Sequence, residues 1–333
     1  MKFVTRTIFL FILLQVFAIS SREKPVQDGP RYFLDPVWPQ LSPKYELSQP
    51  TGIGIDSFQN IFVFDRTGRK WTDPFPDTVI TTNTILMLDR NTGKILKSWG
   101  DNLFIMPHGL TVDHQNNVWV TDVSLQEVFK FDHDGKLLMR IGITREAGSD
   151  SLRFNQPTDV AVAEDGSFYV SDGYKNSRVV KFSAEGKYLF EWGKKGKKPG
   201  EFDLPHAIDL DKEGNVYVAD RQNDRVQVFD PNGKFLKEYT DKKMENLYSV
   251  TVDPVSNHVF ATDFLVVMKV FNKGSNILEY DQAGKLITRF GRAANNPDAP
   301  VTRYHDIAID NEGSIYVADI LGDRIQKFKR SSP

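Results

Sequence analysis

The sequence predicts an all-β chain folded as a six-bladed β-propeller, and three observations carry that reading: one pattern recurs six times, its apolar residues alternate, and turn residues stand at fixed places inside it. The pattern begins as PTGIGIDSFQNIFVFD at Pro50. It returns as PHGLTVDHQNNVWVTD at Pro107, PTDVAVAEDGSFYVSD at Pro157, PHAIDLDKEGNVYVAD at Pro205, LYSVTVDPVSNHVFATD at Leu247 and YHDIAIDNEGSIYVAD at Tyr304. The spacing runs from 42 residues (Pro205 to Leu247) to 57 (Pro50 to Pro107), the range of propeller blades.

Within a unit, Ile208 and Leu210, then Val216 and Val218, fall on one face of two successive half-buried strands. Stretches such as KEGN and AEDGS turn the chain between them. A third strand follows in RVQVFD, RVVKFS and RIQKFK, then a second turn in PNGK, AEGK and QAGK, then a fourth strand in KFLKEY, KYLFEW and KLITRF. No helix is required. The sixth unit stops at Phe328 after its third strand. Residues 21–49 are therefore expected to supply the missing outer strand, with KYELS at Lys44 to Ser48 as the candidate; a truncated blade would leave an unpaired edge. The propeller is placed at residues 50–329 and a short tail at 330–333.

The first twenty residues carry Lys2 and Arg6, an apolar run from Ile8 to Ile19 and small residues around Ser20, the pattern of a secretory signal peptide rather than a membrane span. Export to the secretory lumen or beyond is expected. The chain has no cysteine, so its core must hold without disulfides. A net charge of −2 with interspersed signs gives no electrostatic footing for nucleic acid or an anionic membrane.

A repeat protein contains its own control. The aspartates that end the second strand (Asp65, Asp122, Asp172, Asp220, Asp263 and Asp319) recur in all six units and are read as architectural, as are Arg178, Arg225 and Arg324 just after them. The second residue of each unit breaks the symmetry: Thr51, His108, Thr158, His206, Tyr248 and His305. First strands line a propeller's channel, so histidines on blades two, four and six point at one spot. Three imidazoles with a fourth position open form the ligand set of a catalytic zinc site. The remaining histidines, His114, His133 and His258, fall in or beside turns and are expected to be solvated. After the recurring aspartate, arginine appears only as Arg66 and Arg221, and Tyr174 has no counterpart in other units. A surface salt bridge is the alternative role for either arginine.

MPHGLTVD, QPTDVAVAEDGSFYVSDGYKNSR, LPHAIDLD, VYVADRQNDRVQVF and YHDIAID together resemble the peptidyl-α-hydroxyglycine α-amidating lyase family, a branch of the NHL-type propellers, from about Thr51 to Phe328. The resemblance implies that His108, His206 and His305 hold zinc, that Tyr174 is the catalytic base, and that Arg66 and Arg221 serve the active site. Arg66 is the expected cation beside the phenol and Arg221 the expected grip on a carboxylate. It further implies a structural calcium held by the Asp306 carboxylate and the carbonyls of Ile53 and Leu110, hard oxygen donors that suit that ion. The implied reaction turns a peptidyl-α-hydroxyglycine into an amidated peptide and glyoxylate, with the substrate supplied by a separate copper monooxygenase. Two departures stand out. Asn155 with Lys175, and Val216 with Val228, occupy positions where the family commonly has cysteine pairs, and Arg303-Tyr304 replaces a Met-Pro pair before the last histidine. A non-catalytic extracellular binding module and a calcium-dependent lactonase-like hydrolase share the architecture, but neither calls for a histidine triad.

Overall fold

The computed structural model describes residues 32–43, 45–242, 244–267, 271–291 and 301–331; the expected signal peptide lies outside them. These residues form six four-stranded antiparallel sheets, each running in chain order from the axis outward except the last. The innermost strands are Pro50–Ile55, Pro107–Val112, Pro157–Val162, Pro205–Leu210, Ser249–Val252 and Tyr304–Ile309. Each touches the next around the ring, and the last touches the first. The one helical piece among the described residues is a single 3₁₀ turn at Arg221–Asn223.

Tyr32–Leu34 supplies the outer strand of the sixth sheet, pairing Tyr32 with Arg330, Phe33 with Lys329 and Leu34 with Phe328. This corrects the expectation placed on Lys44–Ser48. Lys44 lies outside the described residues, and Tyr45 to Ser48 form no strand. Leu47 instead packs in the core between blades one and six. Tyr32 fixes the closing strand by stacking on Phe290 at 4.7 Å and donating its hydroxyl to Glu279 at 3.3 Å. Arg330, expected in the tail, ends the strand Arg324–Arg330.

The core lies between blades rather than inside any one of them. Phe62 and Phe64 of blade one pack with Val118, Val120 and Phe129 of blade two in a single buried cluster. The recurring aspartates of blades two, three and four anchor their blades. Asp122 accepts the backbone N–H of Ile105 and Met106, Asp172 that of Asn155, and Asp220 that of Asp203, so each carboxylate ties down the segment entering its own blade. Arg178 and Arg225 donate Nε–H to Asp172 and Asp220 at 2.9 Å each, and Arg324 to Asp319 at 3.1 Å.

In blades one, two, three, four and six, the pairing of the first two strands shifts register across the second residue of the unit. Such a bulge breaks the alternation locally and re-aims a side chain. Here it presents His108, His206 and His305 to the axis. One cysteine mapping also needs correction: Val228 pairs with Tyr217, whereas Val216 pairs with Phe229. Neighbours along a strand point to opposite faces. Tyr217 and Val228 accordingly share one core cluster while Val216 packs in the next.

Candidate metal centre and substrate cavity

The three buried histidines come together at one end of the channel. Their ring centroids are 4.6 Å (His108 to His305), 4.8 Å (His108 to His206) and 4.9 Å (His206 to His305) apart. The ligand atoms offered by the three all lie within 4.8 Å of one another. Each Nδ1–H donates to a backbone carbonyl at the same register of the following blade: His108 to Thr158 at 2.6 Å, His206 to Tyr248 at 2.6 Å and His305 to Thr51 at 2.7 Å. A carbonyl can only accept, so the proton sits on Nδ1 and the lone pair on Nε2. Burial drives all three imidazoles well below their usual pKa, reinforced by Arg66 at His108, by His108 and Arg221 at His206, and by His108 and His206 at His305. Three neutral, oriented imidazoles with converging Nε2 atoms fit a zinc ion's donor requirements.

Tyr174 stands against this triad, its hydroxyl oxygen 3.0 Å from His108 Nε2 and 3.2 Å from His206 Nε2. Gly173 permits the approach, since a Cβ there would lie 1.9 Å from the carbonyl oxygen of Pro205. The phenol was expected to have its pKa lowered by Arg66. In the chain alone the direction is upward: burial dominates, and Arg221 followed by Arg66 only partly offsets it. Arg221 and Arg66 are thus both cations that favour the phenolate.

Neither arginine forms a surface salt bridge. Arg66 is buried, donates Nε–H to the carbonyl of Pro107 at 2.9 Å, and leaves Nη2 unpartnered. Burial pulls its pKa down to about 10, which leaves it charged at neutral pH. Arg221 donates Nη2–H to the Tyr248 hydroxyl at 2.6 Å and leaves Nε unpartnered. Both face a cavity of about 620 Å³ that also meets Tyr174 and His305.

One wall of this cavity was not anticipated. The connection at residues 66–84 of blade one carries Trp71 and Phe75 over the site, with Trp71 4.7 Å from the Tyr174 ring and beneath the Arg66 guanidinium at 5.5 Å. The long first repeat, from Pro50 to Pro107, was the available signal.

Asp306, Ile53 and Leu110 line a second axial cavity of about 450 Å³. Asp306 accepts from the Ile53 N–H at 2.9 Å, the Ser249 hydroxyl at 2.7 Å and its neighbour Ile307 at 2.9 Å. Asp159 shares this cavity and was missed, although it holds the same place in blade three that Asp306 holds in blade six. Burial pushes Asp306 up to about 7, and burial with the Asp306 charge pushes Asp159 well above the carboxylate range. Two buried carboxylates facing one space, with the Asp306 charge disfavouring ionisation of Asp159, fit a bound cation.

Of the other histidines, only His114 is exposed. His133 bonds Asp56 at 2.8 Å and His258 bonds Glu279 at 2.8 Å, both half-buried against buried carboxylates rather than solvated.

Fold and site together define a six-bladed propeller with a cluster of three imidazoles that could hold a metal ion, beside a cationic cavity. A family model described as a 6-bladed beta-propeller matches residues 147–251. A probable peptidyl-α-hydroxyglycine α-amidating lyase of Caenorhabditis elegans is 38% identical, covering 87% of this chain and 85% of its own length. The chain belongs to the peptidyl-α-hydroxyglycine α-amidating lyase family. It is also 34% identical to peptidyl-glycine alpha-amidating monooxygenase B of Xenopus laevis over 89% of this chain, and spans 35% of that protein's length. A streptogramin B lyase structure shares the fold at 15% identity, with a TM-score of 0.57 over 91% of this chain and 88% of the other. No helix among the described residues is long and apolar enough to cross a membrane.

Proposed function

We propose that this chain cleaves peptidyl-α-hydroxyglycines to a C-terminally amidated peptide and glyoxylate, with zinc at His108, His206 and His305. The observation that carries the reading is the juxtaposition of three converging Nε2 atoms, the Tyr174 hydroxyl and two arginines that no carboxylate satisfies among the described residues. A zinc ion held there supplies Lewis acidity that lowers the pKa of a hydroxyl group.

The rest falls to the chain's own residues. The substrate ends in a carboxylate beside the hydroxyl-bearing carbon, and Arg221 and Arg66 hold that carboxylate with their free N–H groups. A metal charge at the triad, added to those of Arg221 and Arg66, would offset the burial that favours the neutral phenol, and Tyr174 as phenolate then takes the hydroxyl proton. The O–H electrons form the new C=O of glyoxylate as the C–N bond breaks, and the departing nitrogen keeps that bond's pair. Tyr174, now a phenol, returns the proton to the nitrogen, so the step balances without a net proton. Trp71 and Phe75 exclude water above the phenol. Asp306, the carbonyls of Ile53 and Leu110, and Asp159 nearby would hold a calcium ion, whose charge would offset the buried carboxylates and so stabilise the ring.

A secretory location suits the leader pattern, and the substrate's hydroxyl requires a prior oxidation of a glycine-extended peptide. A relative of the chain is named as an amidating monooxygenase, which supports placing such an enzyme immediately upstream. Replacing Tyr174 with Phe tests the reading: the zinc content stays and glyoxylate release falls about 100-fold or more. Wild-type turnover in that variant overturns it.

A further inference from the structure

The cavity holds a third arginine. Arg303 lies two residues before His305, where the other blades place Gln49, Met106, Gln156, Leu204 and Asn246, so blade six alone puts a charge there. Its backbone is pinned, with the N–H donated to Asp319 at 2.8 Å and the carbonyl accepting from Ile320 at 3.0 Å. Its guanidinium rests on the Phe264 ring at 4.3 Å and stands 5.9 Å from the Tyr248 ring, which also carries Arg221 at 4.0 Å. Its Nε is buried without a hydrogen-bond partner, and no carboxylate pairs with it among the described residues. Side chain and His305 line the same cavity.

A single substrate carboxylate already has two guanidiniums to satisfy, Arg66 and Arg221. A third unpaired guanidinium beside Tyr248 calls for a second anion, and a buried unpaired donor is costly unless a ligand completes it. Arg221 and Arg303 stand 4.0 and 5.9 Å from the same Tyr248 ring, close enough for the two anions to be neighbouring groups of one ligand. We propose that Arg303 makes this cavity selective for acidic substrates by pairing with the side-chain carboxylate of an Asp or Glu immediately before the terminal hydroxyglycine.

This rests on the reading given under the proposed function, and the test keeps the two separable. Two synthetic peptides ending in Glu-α-hydroxyglycine and Gln-α-hydroxyglycine differ only in that charge, and their Glu-Gly and Gln-Gly counterparts lack the reactive hydroxyl and serve as binding probes. The zinc-loaded chain is expected to favour Glu over Gln by about 10-fold in kcat/KM and in probe affinity. Arg303→Met brings both ratios close to 1, and Arg303→Lys keeps part of the preference because it keeps the charge without the fork. A wild-type ratio of 1, or a preference that survives Arg303→Met, overturns the proposal. So does an equal loss on both peptides, which would assign Arg303 to the terminal carboxylate. If neither hydroxyglycine peptide is cleaved, the lyase reading fails while the binding ratio still decides the role of Arg303.

Discussion

Arg225 and Arg221 are four residues apart in one blade and live under opposite rules. Arg225 donates to Asp220 and Glu238 at 2.9 Å each and to the carbonyls of Lys198 and Glu201, so nearly every N–H is used. Arg178 repeats that arrangement with Asp172 and Glu191. Arg221, Arg66 and Arg303 face the cavity, each with an unpartnered buried nitrogen and no acidic partner among the described residues. The difference teaches which cations hold the ring together and which wait for a ligand. Saturated arginines recur from blade to blade; unsaturated ones break the repeat.

The contrast is sharpest in stability. Arg225→Met leaves Asp220 and Glu238 without their cation, and the buried carboxylate of Asp220 then costs about 3–5 kcal/mol, read by denaturant unfolding. Arg221→Met removes a guanidinium that has no ion pair, and should cost no more than about 1 kcal/mol for its bond to Tyr248 while weakening substrate binding. Equal destabilisation by the two would erase the distinction.

Metal removal probes the opposite end of the channel, where carboxylates rather than guanidiniums lack counter-ions. A calcium ion present at about 100 times its dissociation constant would stabilise the chain by about 2.7 kcal/mol. Calcium-selective chelation that leaves zinc in place should lower the melting temperature of the wild type and have little further effect on Asp306→Asn. A melting temperature indifferent to calcium in both proteins would leave Asp159 and Asp306 without that role.

The repeat explains what the sequence made legible and what it did not. Six aligned units expose every residue that departs from its register, which is how His108, His206 and His305 stand out before any coordinates. Asp159 departs from its register just as clearly, but its partner lies half a ring away in blade six, and sequence alone does not bring the two together. The Trp71 wall lies in an insertion with no counterpart to align. The closing strand, Tyr32–Leu34, is three residues long, too short to show a period, whereas KYELS alternates like a strand although Tyr45 to Ser48 form none. Val216 and Tyr217 differ by one position, and a slip of one residue exchanges the two faces of a strand.

The central claim is that the histidine triad holds the metal on which cleavage depends. It is tested most directly by measuring zinc and glyoxylate together in the wild type and in His206→Ala, supplied with a peptide ending in α-hydroxyglycine. The account predicts roughly one zinc per chain and glyoxylate released in step with amidated peptide in the wild type, with both lost in the variant, since two imidazoles cannot supply the three-ligand site. A His206→Ala chain that keeps its zinc and still releases glyoxylate at the wild-type rate would contradict it.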